Sequence, residues 1–214
     1  IVNHPKRLPS HEMHRHPAYF YYLYAVASLG FFSILYAFWQ LPKQTTSYQW
    51  LILAVLTVVT STFSIKIPAV NSKITLGDTL ILTNVVLFGP AAGTLTAGLD
   101  AIVGSLYSRT KSRRLEYMCF NVGTMATSAL TGGTVFFHLL GSGPLFSYPI
   151  HSFYKILLPL GALGFIHYIC NSGSVAIIVA LELRKNIREI WLDSFLWTSI
   201  TYLLSLIHIS EPTR

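Results

Sequence analysis

The stretch that decides the fold is Gly89-Pro90-Ala91-Ala92-Gly93-Thr94-Leu95-Thr96-Ala97-Gly98-Leu99-Asp100-Ala101. Small residues recur at every fourth position, through Gly93, Ala97, Ala101 and Ser105, and this spacing lets a neighbouring helix approach closely. A second apolar segment precedes Gly89, and a basic loop with Arg109, Lys111, Arg113 and Arg114 follows. Each of the two apolar segments carries one carboxylate. Apolar segments with a single acidic residue, flanked by a basic loop, are typical of a membrane protein.

Composition supports the same interpretation. Of the 214 residues, 52% are hydrophobic and 11% are charged, whereas a soluble domain usually has about 25% charged residues. The net charge of +7 does not indicate a nucleic-acid partner, because the basic residues gather in short loops between apolar runs. Both cysteines lie inside apolar runs, which argues against a disulfide framework or a metal site. No cofactor is indicated.

Apolar runs predict the fold class, an all-α, polytopic transmembrane helical bundle with about six to seven spans. The runs cover residues 18–41, 48–67, 76–88, 91–107, 115–140, 153–183 and 191–206. Residues 1–17 are expected to be a cytosolic basic segment, and residues 18–204 a truncated transmembrane domain. The chain starts with Ile1 rather than Met, which suggests a beginning inside a longer protein. The tail 205–214 resembles translated adapter sequence and is expected to be non-native.

Charge placement predicts the orientation. With the N-terminus in the cytosol, the basic groups at 6–15, 66–73, 109–114 and 184–188 all fall on the cytosolic side. Lys43 and the loop 141–152 then fall outside. The chain is therefore expected to be a multi-pass protein of the cytoplasmic membrane, with the lipid bilayer as its first partner.

Four polar residues within or next to apolar runs are candidate ligand-binding residues: Asp78, Asp100, Asn121 and Asn171. Polar groups inside a membrane usually face the bundle interior, where they pair with each other or with a ligand. Three of the four have an alternative role: Asp78 can cap a helix, and Asp100 and Asn121 can bind a neighbouring helix. His167 is read as a hydrogen-bonded core residue. No spacing combines a nucleophile with its base or builds a metal triad, so no enzyme is predicted.

Seven short motifs carry a family resemblance: Ile67-Pro68, Leu76-Gly77-Asp78, Leu87-Phe88-Gly89-Pro90, Gly98-Leu99-Asp100, Arg113-Arg114, Phe120-Asn121 and Tyr168-Ile169-Cys170-Asn171. This pattern resembles the membrane-associated sensor (MASE-type) regions of bacteria, which precede HD-GYP, GGDEF or histidine kinase modules. It is also similar to the S components of energy-coupling factor (ECF) vitamin transporters.

The resemblance implies a sensory input domain in the bacterial inner membrane. It would regulate a covalently linked cytosolic output module downstream, in cyclic-di-GMP or kinase signalling. A small-molecule ligand and a second copy of the chain are further expected partners. The alternative is the substrate-binding membrane subunit of a transporter for a vitamin-like small molecule.

Overall fold

The computed structural model describes residues 17–45, 47–62, 65–66, 73–74, 77–107, 114–148 and 154–192. Within these ranges the chain forms seven helices and one antiparallel hairpin. The helices are α1 (Pro17–Gln44), α2 (Trp50–Thr62), α3 (Gly77–Phe88), α4 (Pro90–Leu106), α5 (Arg114–Leu140), α6 (Tyr154–Leu183) and α7 (Ile187–Trp191). In the hairpin, β1 (Ile65–Lys66) pairs with β2 (Lys73–Ile74), and Ile65 lies opposite Ile74.

The predicted helical architecture is confirmed for the described residues, with α1 to α6 each in one of the predicted apolar runs. The hairpin between α2 and α3 was not predicted. Helix α7 lies near the start of the predicted seventh span, but most of that span, together with residues 1–16 and the tail 205–214, lies outside the described residues. The proposed division into an N-terminal segment, a membrane domain and a tail stays a prediction.

Helix α4 occupies the centre of the bundle, where it packs against α1, α2, α3 and α5. Every residue from Pro90 to Gly98 is buried, and most of them are Ala, Gly or Thr. The predicted small-residue positions lie in these contacts: a Cβ on Gly93 would overlap the Val85 side chain of α3. Small side chains let neighbouring backbones approach closely, so α4 is the element against which the other helices are placed.

Helix α1 approaches α5 equally closely at a pair of facing glycines. A Cβ added to Gly30 would overlap the backbone of Gly123, and one added to Gly123 would lie 2.5 Å from the Val26 carbonyl oxygen. One turn along α1, the Ser33 and Thr127 hydroxyls lie 3.4 Å apart and can hydrogen-bond between the two helices. The pair Gly30 and Gly123 therefore sets the distance between α1 and α5.

The outer faces of the bundle are strongly apolar. Two described helices, α1 and α6, are long and apolar enough to cross a membrane by length and composition, and only 28% of each apolar window is buried. A core helix of a soluble protein would be mostly covered by other elements. Exposed aromatic residues cover α1 in particular: Tyr21, Tyr24, Phe31, Phe32, Tyr36, Phe38 and Trp39. These features are consistent with a helical membrane protein whose outer face contacts lipid.

Replacing Gly30 with Ala tests the α1 to α5 contact. We expect the free energy of unfolding to fall by about 1 to 3 kcal/mol, because the added methyl group overpacks the site. Gly104→Ala in α4 is the matched control, since nothing lies within 4 Å of a Cβ there. We expect that control to match the wild-type protein or exceed it slightly. Thermal unfolding in detergent measures both, and equal melting temperatures for the two variants would contradict the close packing.

Candidate functional site

A pocket of about 290 Å³ opens where α1 and α5 end and α4 begins, which we call the Gly89 end of the bundle. Pockets for small molecules typically measure about 300 to 1,000 Å³, so this one suits a single small solute or part of a larger one. Its lining comes from α1, the start of α4, α5 and the loop after α5: Tyr36, Gln44, Pro90, Leu130, Thr134, Phe137, Ser142, Gly143 and Pro144.

The loop 141–148, which forms one wall of the pocket, is held by α3. The Leu145 N–H donates to the Val86 carbonyl at 3.1 Å, and the Phe146 N–H donates to the Leu87 carbonyl at 3.0 Å. Carbonyls in the last turn of a helix have no partner within the helix, so the loop satisfies them. The Phe146 ring packs on Phe88 with 5.1 Å between centroids. These contacts fix the wall relative to α3 and α4.

Gln44, the last residue of α1, caps the start of α4. Its side-chain Oε1 accepts a hydrogen bond from the Ala91 N–H at 2.9 Å. The first N–H groups of a helix lack internal partners, so Gln44 acts as a cap supplied by a different helix. Gly89 has φ 104°, a conformation that favours glycine, and a Cβ there would lie 2.6 Å from Gln44 Oε1. Gly89 is therefore required for this contact.

The polar groups of the pocket are neutral, and none of the nine lining residues carries a formal charge. Gln40 Nε2 donates to the Tyr36 hydroxyl oxygen at 2.8 Å, and the Thr134 hydroxyl donates to the Leu130 carbonyl at 2.7 Å. Tyr36 and Phe137 contribute aromatic side chains to the lining. This combination suits an uncharged solute with a flat apolar surface and hydrogen-bonding groups at its edge.

Asp100 lies at a different place, near the opposite end of the bundle, which we call the Gly77 end. Its carboxylate accepts a hydrogen bond from the Ser61 hydroxyl of α2. A Cβ added to Gly77, the first residue of α3, would lie 3.1 Å from Asp100 Oδ1. With 9% of its surface exposed, Asp100 connects α2, α3 and α4. The alternative in which Asp100 binds a neighbouring helix therefore has a structural basis.

Asp78 lies in the first turn of α3, beside Gly77. Its Oδ1 is 3.9 Å from His167 Nε2 of α6, and the Asp78 side chain is 52% exposed. His167 Nδ1 lies 3.0 Å from the Ser128 hydroxyl of α5. His167 is thus the buried, hydrogen-bonded residue expected from the sequence. Among the described residues, no group of three His, Cys, Asp or Glu side chains could hold a metal ion.

The two predicted amide residues lie on α5 and α6. Asn121 Nδ2 donates to the Ser105 hydroxyl of α4 at 3.2 Å, so this amide joins two helices, as one of its two predicted roles requires. Asn171 is half-buried on α6. The structure brings Asp78, Asp100 and Asn121 toward the same end of the bundle, although Asn121 has a separate partner. A role of the four residues in ligand binding stays a prediction.

Sequence reasoning missed the pocket and two polar contacts. Asn84 Nδ2 of α3 donates to Thr96 Oγ1 at 2.6 Å and to the Trp50 carbonyl at 3.2 Å, so it joins α2, α3 and α4. For the Gln44 contact, the sequence indicates that an acceptor is needed but not which residue supplies it. Gly89-Pro90 predicts the start of a helix that needs an acceptor, but the position of that acceptor 47 residues earlier depends on tertiary structure.

Comparison with known proteins gives a family match over part of the chain. Residues 43–108 match the family model of the ECF-type riboflavin transporter, S component. The matched segment covers less than half of the chain and runs from the end of α1 through α4, so it contains the lining residues Gln44 and Pro90. No curated protein and no solved structure matches the chain significantly.

This match overturns the expected sensor function. The matched family is a transport subunit, and no sensor domain of the MASE type is found. The covalently linked output module and the cyclic-di-GMP signalling role therefore fall as well. The resemblance misled because its short glycine-containing motifs report close helix packing, which both kinds of membrane protein need. The matched proteins are transporters and not enzymes, as expected, and they are integral multi-pass proteins of the cytoplasmic membrane.

Proposed function

We propose that the protein is the substrate-binding membrane subunit of an ECF-type transporter that takes up riboflavin or a closely similar vitamin. The observation that carries this proposal is the family match over residues 43–108. It agrees with the alternative function derived from the sequence, a subunit that binds a vitamin-like solute. As in that family, the partner would be a separate energising module rather than a fused domain.

The pocket at the Gly89 end is the proposed vitamin site. The matched segment supplies two of its nine lining residues, Gln44 and Pro90. Riboflavin has a flat, uncharged ring system with carbonyl and N–H groups at one edge, and the pocket offers aromatic side chains and neutral polar groups. Its volume of about 290 Å³ suits the ring system, while the attached sugar alcohol would extend through the open side.

The proposed orientation places the Gly89 end outside the cell and the N-terminus in the cytosol, with α1 to α6 crossing the membrane. Positive charges favour the cytosolic side. The described residues at the Gly77 end, or leading into it, include more basic positions than those at the Gly89 end. The basic positions at the Gly77 end are Lys66, Lys73, Arg114, Arg184, Lys185 and Arg188, and those at the Gly89 end are Lys43 and Lys155. In this orientation the pocket faces the medium from which a vitamin is taken up.

Thr134→Leu tests the location of the site. The larger side chain would fill part of the pocket, so we expect riboflavin affinity to fall about tenfold or more, corresponding to about 1.4 kcal/mol. Thr131→Leu is the matched control, because Thr131 is exposed on the same helix and does not line the pocket. Quenching of flavin fluorescence by the purified protein measures the affinity. Equal losses in the two variants would argue against this pocket.

Charge selectivity tests the neutral lining. Flavin mononucleotide differs from riboflavin by a phosphate group, and burying a charge without a partner is costly. In the proposed pose the phosphate ends the sugar alcohol outside the pocket and is not buried, so we expect flavin mononucleotide to bind within about threefold of riboflavin. Competition against riboflavin in the same fluorescence assay gives the ratio. Tighter binding of flavin mononucleotide would require a basic group that the described lining does not contain.

Asp78, Asp100, Asn121 and Asn171 are the ligand contacts proposed from the sequence. Because Asp78 and Asp100 lie at the Gly77 end, this alternative puts the ligand at the opposite end from the pocket, and Asp100 offers the sharpest test. Asp100→Asn keeps an oxygen that accepts from Ser61, so we expect thermal stability close to wild type. Asp100→Ala loses the acceptor, and we expect a loss of about 1 to 3 kcal/mol. Riboflavin titration of the stable Asp100→Asn variant then separates the roles. A lower affinity would assign Asp100 to ligand binding, and an unchanged affinity would assign it to helix packing alone.

A further inference from the structure

We infer that Gln44 is a specificity-determining residue, which selects solutes that present a hydrogen-bond acceptor to the pocket. This inference rests on the proposed function and deepens it, because it names the group of the vitamin that the pocket recognises.

The first step concerns the two ends of the Gln44 amide. Its Oε1 accepts from the Ala91 N–H at 2.9 Å. The reverse orientation would place an NH₂ donor against an N–H donor, so this contact fixes which end is oxygen. Among the described residues, Gln44 Nε2 donates to none. The residue lines the pocket, and its N–H donors are available to a solute there.

The second step concerns the other polar groups of the pocket. The Tyr36 oxygen already accepts from Gln40, so its own O–H remains able to donate. The Thr134 O–H already donates to Leu130, so its oxygen remains able to accept. The pocket therefore offers donors at Gln44 and Tyr36 and an acceptor at Thr134. An uncharged heterocycle with carbonyl oxygens on either side of an N–H, a cyclic imide, carries the matching groups.

The third step concerns discrimination. A site built around a hydrogen bond rejects an analogue that lacks the partner, because the buried polar group of the protein is then left unpaired. The Gln44 donor is held in place by the cap on α4, so it cannot easily turn toward another partner. Solutes without a carbonyl at that edge should bind more weakly than riboflavin, even where their ring systems fill the same space.

Gln44→Glu tests the inference. A carboxylate can accept from the Ala91 N–H and is favoured at a helix N-terminus. We therefore expect a melting temperature close to that of the wild-type protein. The second oxygen would replace the donor with a negatively charged acceptor. We therefore expect riboflavin affinity to fall about tenfold or more. Gln49→Glu, an exposed residue outside the pocket lining, makes the same change of charge and should bind like the wild-type protein.

A thio analogue supplies a second measurement that survives a loss of stability. Replacing a ring carbonyl oxygen of riboflavin by sulfur weakens the acceptor at nearly constant shape. Wild-type protein should prefer riboflavin over one of the two thio analogues by about tenfold, and Gln44→Leu should lose most of that preference. The preference is the ratio of two affinities measured on the same variant. A loss of stability that lowers both affinities equally therefore cancels.

The outcomes separate the two proposals. Binding by Gln44→Glu as tight as by Gln49→Glu, or an unchanged preference for oxygen in Gln44→Leu, overturns the role of Gln44 while the transport function stands. Failure of the wild-type protein to bind riboflavin overturns the proposed function, and the inference falls with it. Loss of affinity in Gln44→Glu together with loss of the oxygen preference in Gln44→Leu supports the role of Gln44.

Discussion

Helix α4 can lie inside the bundle only because its side chains are small. Lipid provides little hydrophobic drive for one helix to join another, so close van der Waals packing has to hold them together. Gly93 meets Val85 of α3, and Gly98 would bring a Cβ to 3.3 Å from Ile34 of α1. On the α5 side, a Cβ on Gly133 would lie 3.1 Å from Pro90. The positions of three helices, and of the pocket at the start of α4, follow from these approaches.

Polar pairs fix the register between α4 and its neighbouring helices. Ser61 with Asp100, Asn84 with Thr96, and Ser105 with Asn121 each join α4 to a different neighbour. A polar group without a partner in an apolar environment costs several kcal/mol on hydrocarbon scales, so a helix shifted by one residue would lose its pairs. Small residues allow close approach over a range of positions, and the polar pairs select among them.

Most of the helical framework could be predicted from the sequence, since long apolar runs leave few alternatives to a helix in lipid. The small-residue spacing also located the buried face of α4. What the sequence could not supply were contacts between distant residues. The first apolar run was expected to end at residue 41, but α1 continues to Gln44, and this extension brings the amide to Ala91. The hairpin between α2 and α3 is short, and its two-residue strands carry too little pattern to be recognised.

The same limit explains why the four candidate residues and the pocket were not linked. Asp100, Asn121 and Asn171 stood out because a polar residue is rare within an apolar run, yet the first two have partners on neighbouring helices. Pocket residues such as Thr134 and Gln44 are ordinary in sequence.

Gln44 and Thr134 matter for the proposed function because their hydrogen bonds within the protein leave one donor or acceptor of each side chain unused. Each has one polar function engaged by the protein and another directed at no described residue. A pocket at the end of a bundle, where helix termini and a loop meet, can keep such groups hydrated until a solute replaces the water. In the bundle interior the same groups would have to pair with one another, as Asp100 and Ser61 do. The difference in hydration is the physical reason to place solute recognition at the Gly89 end.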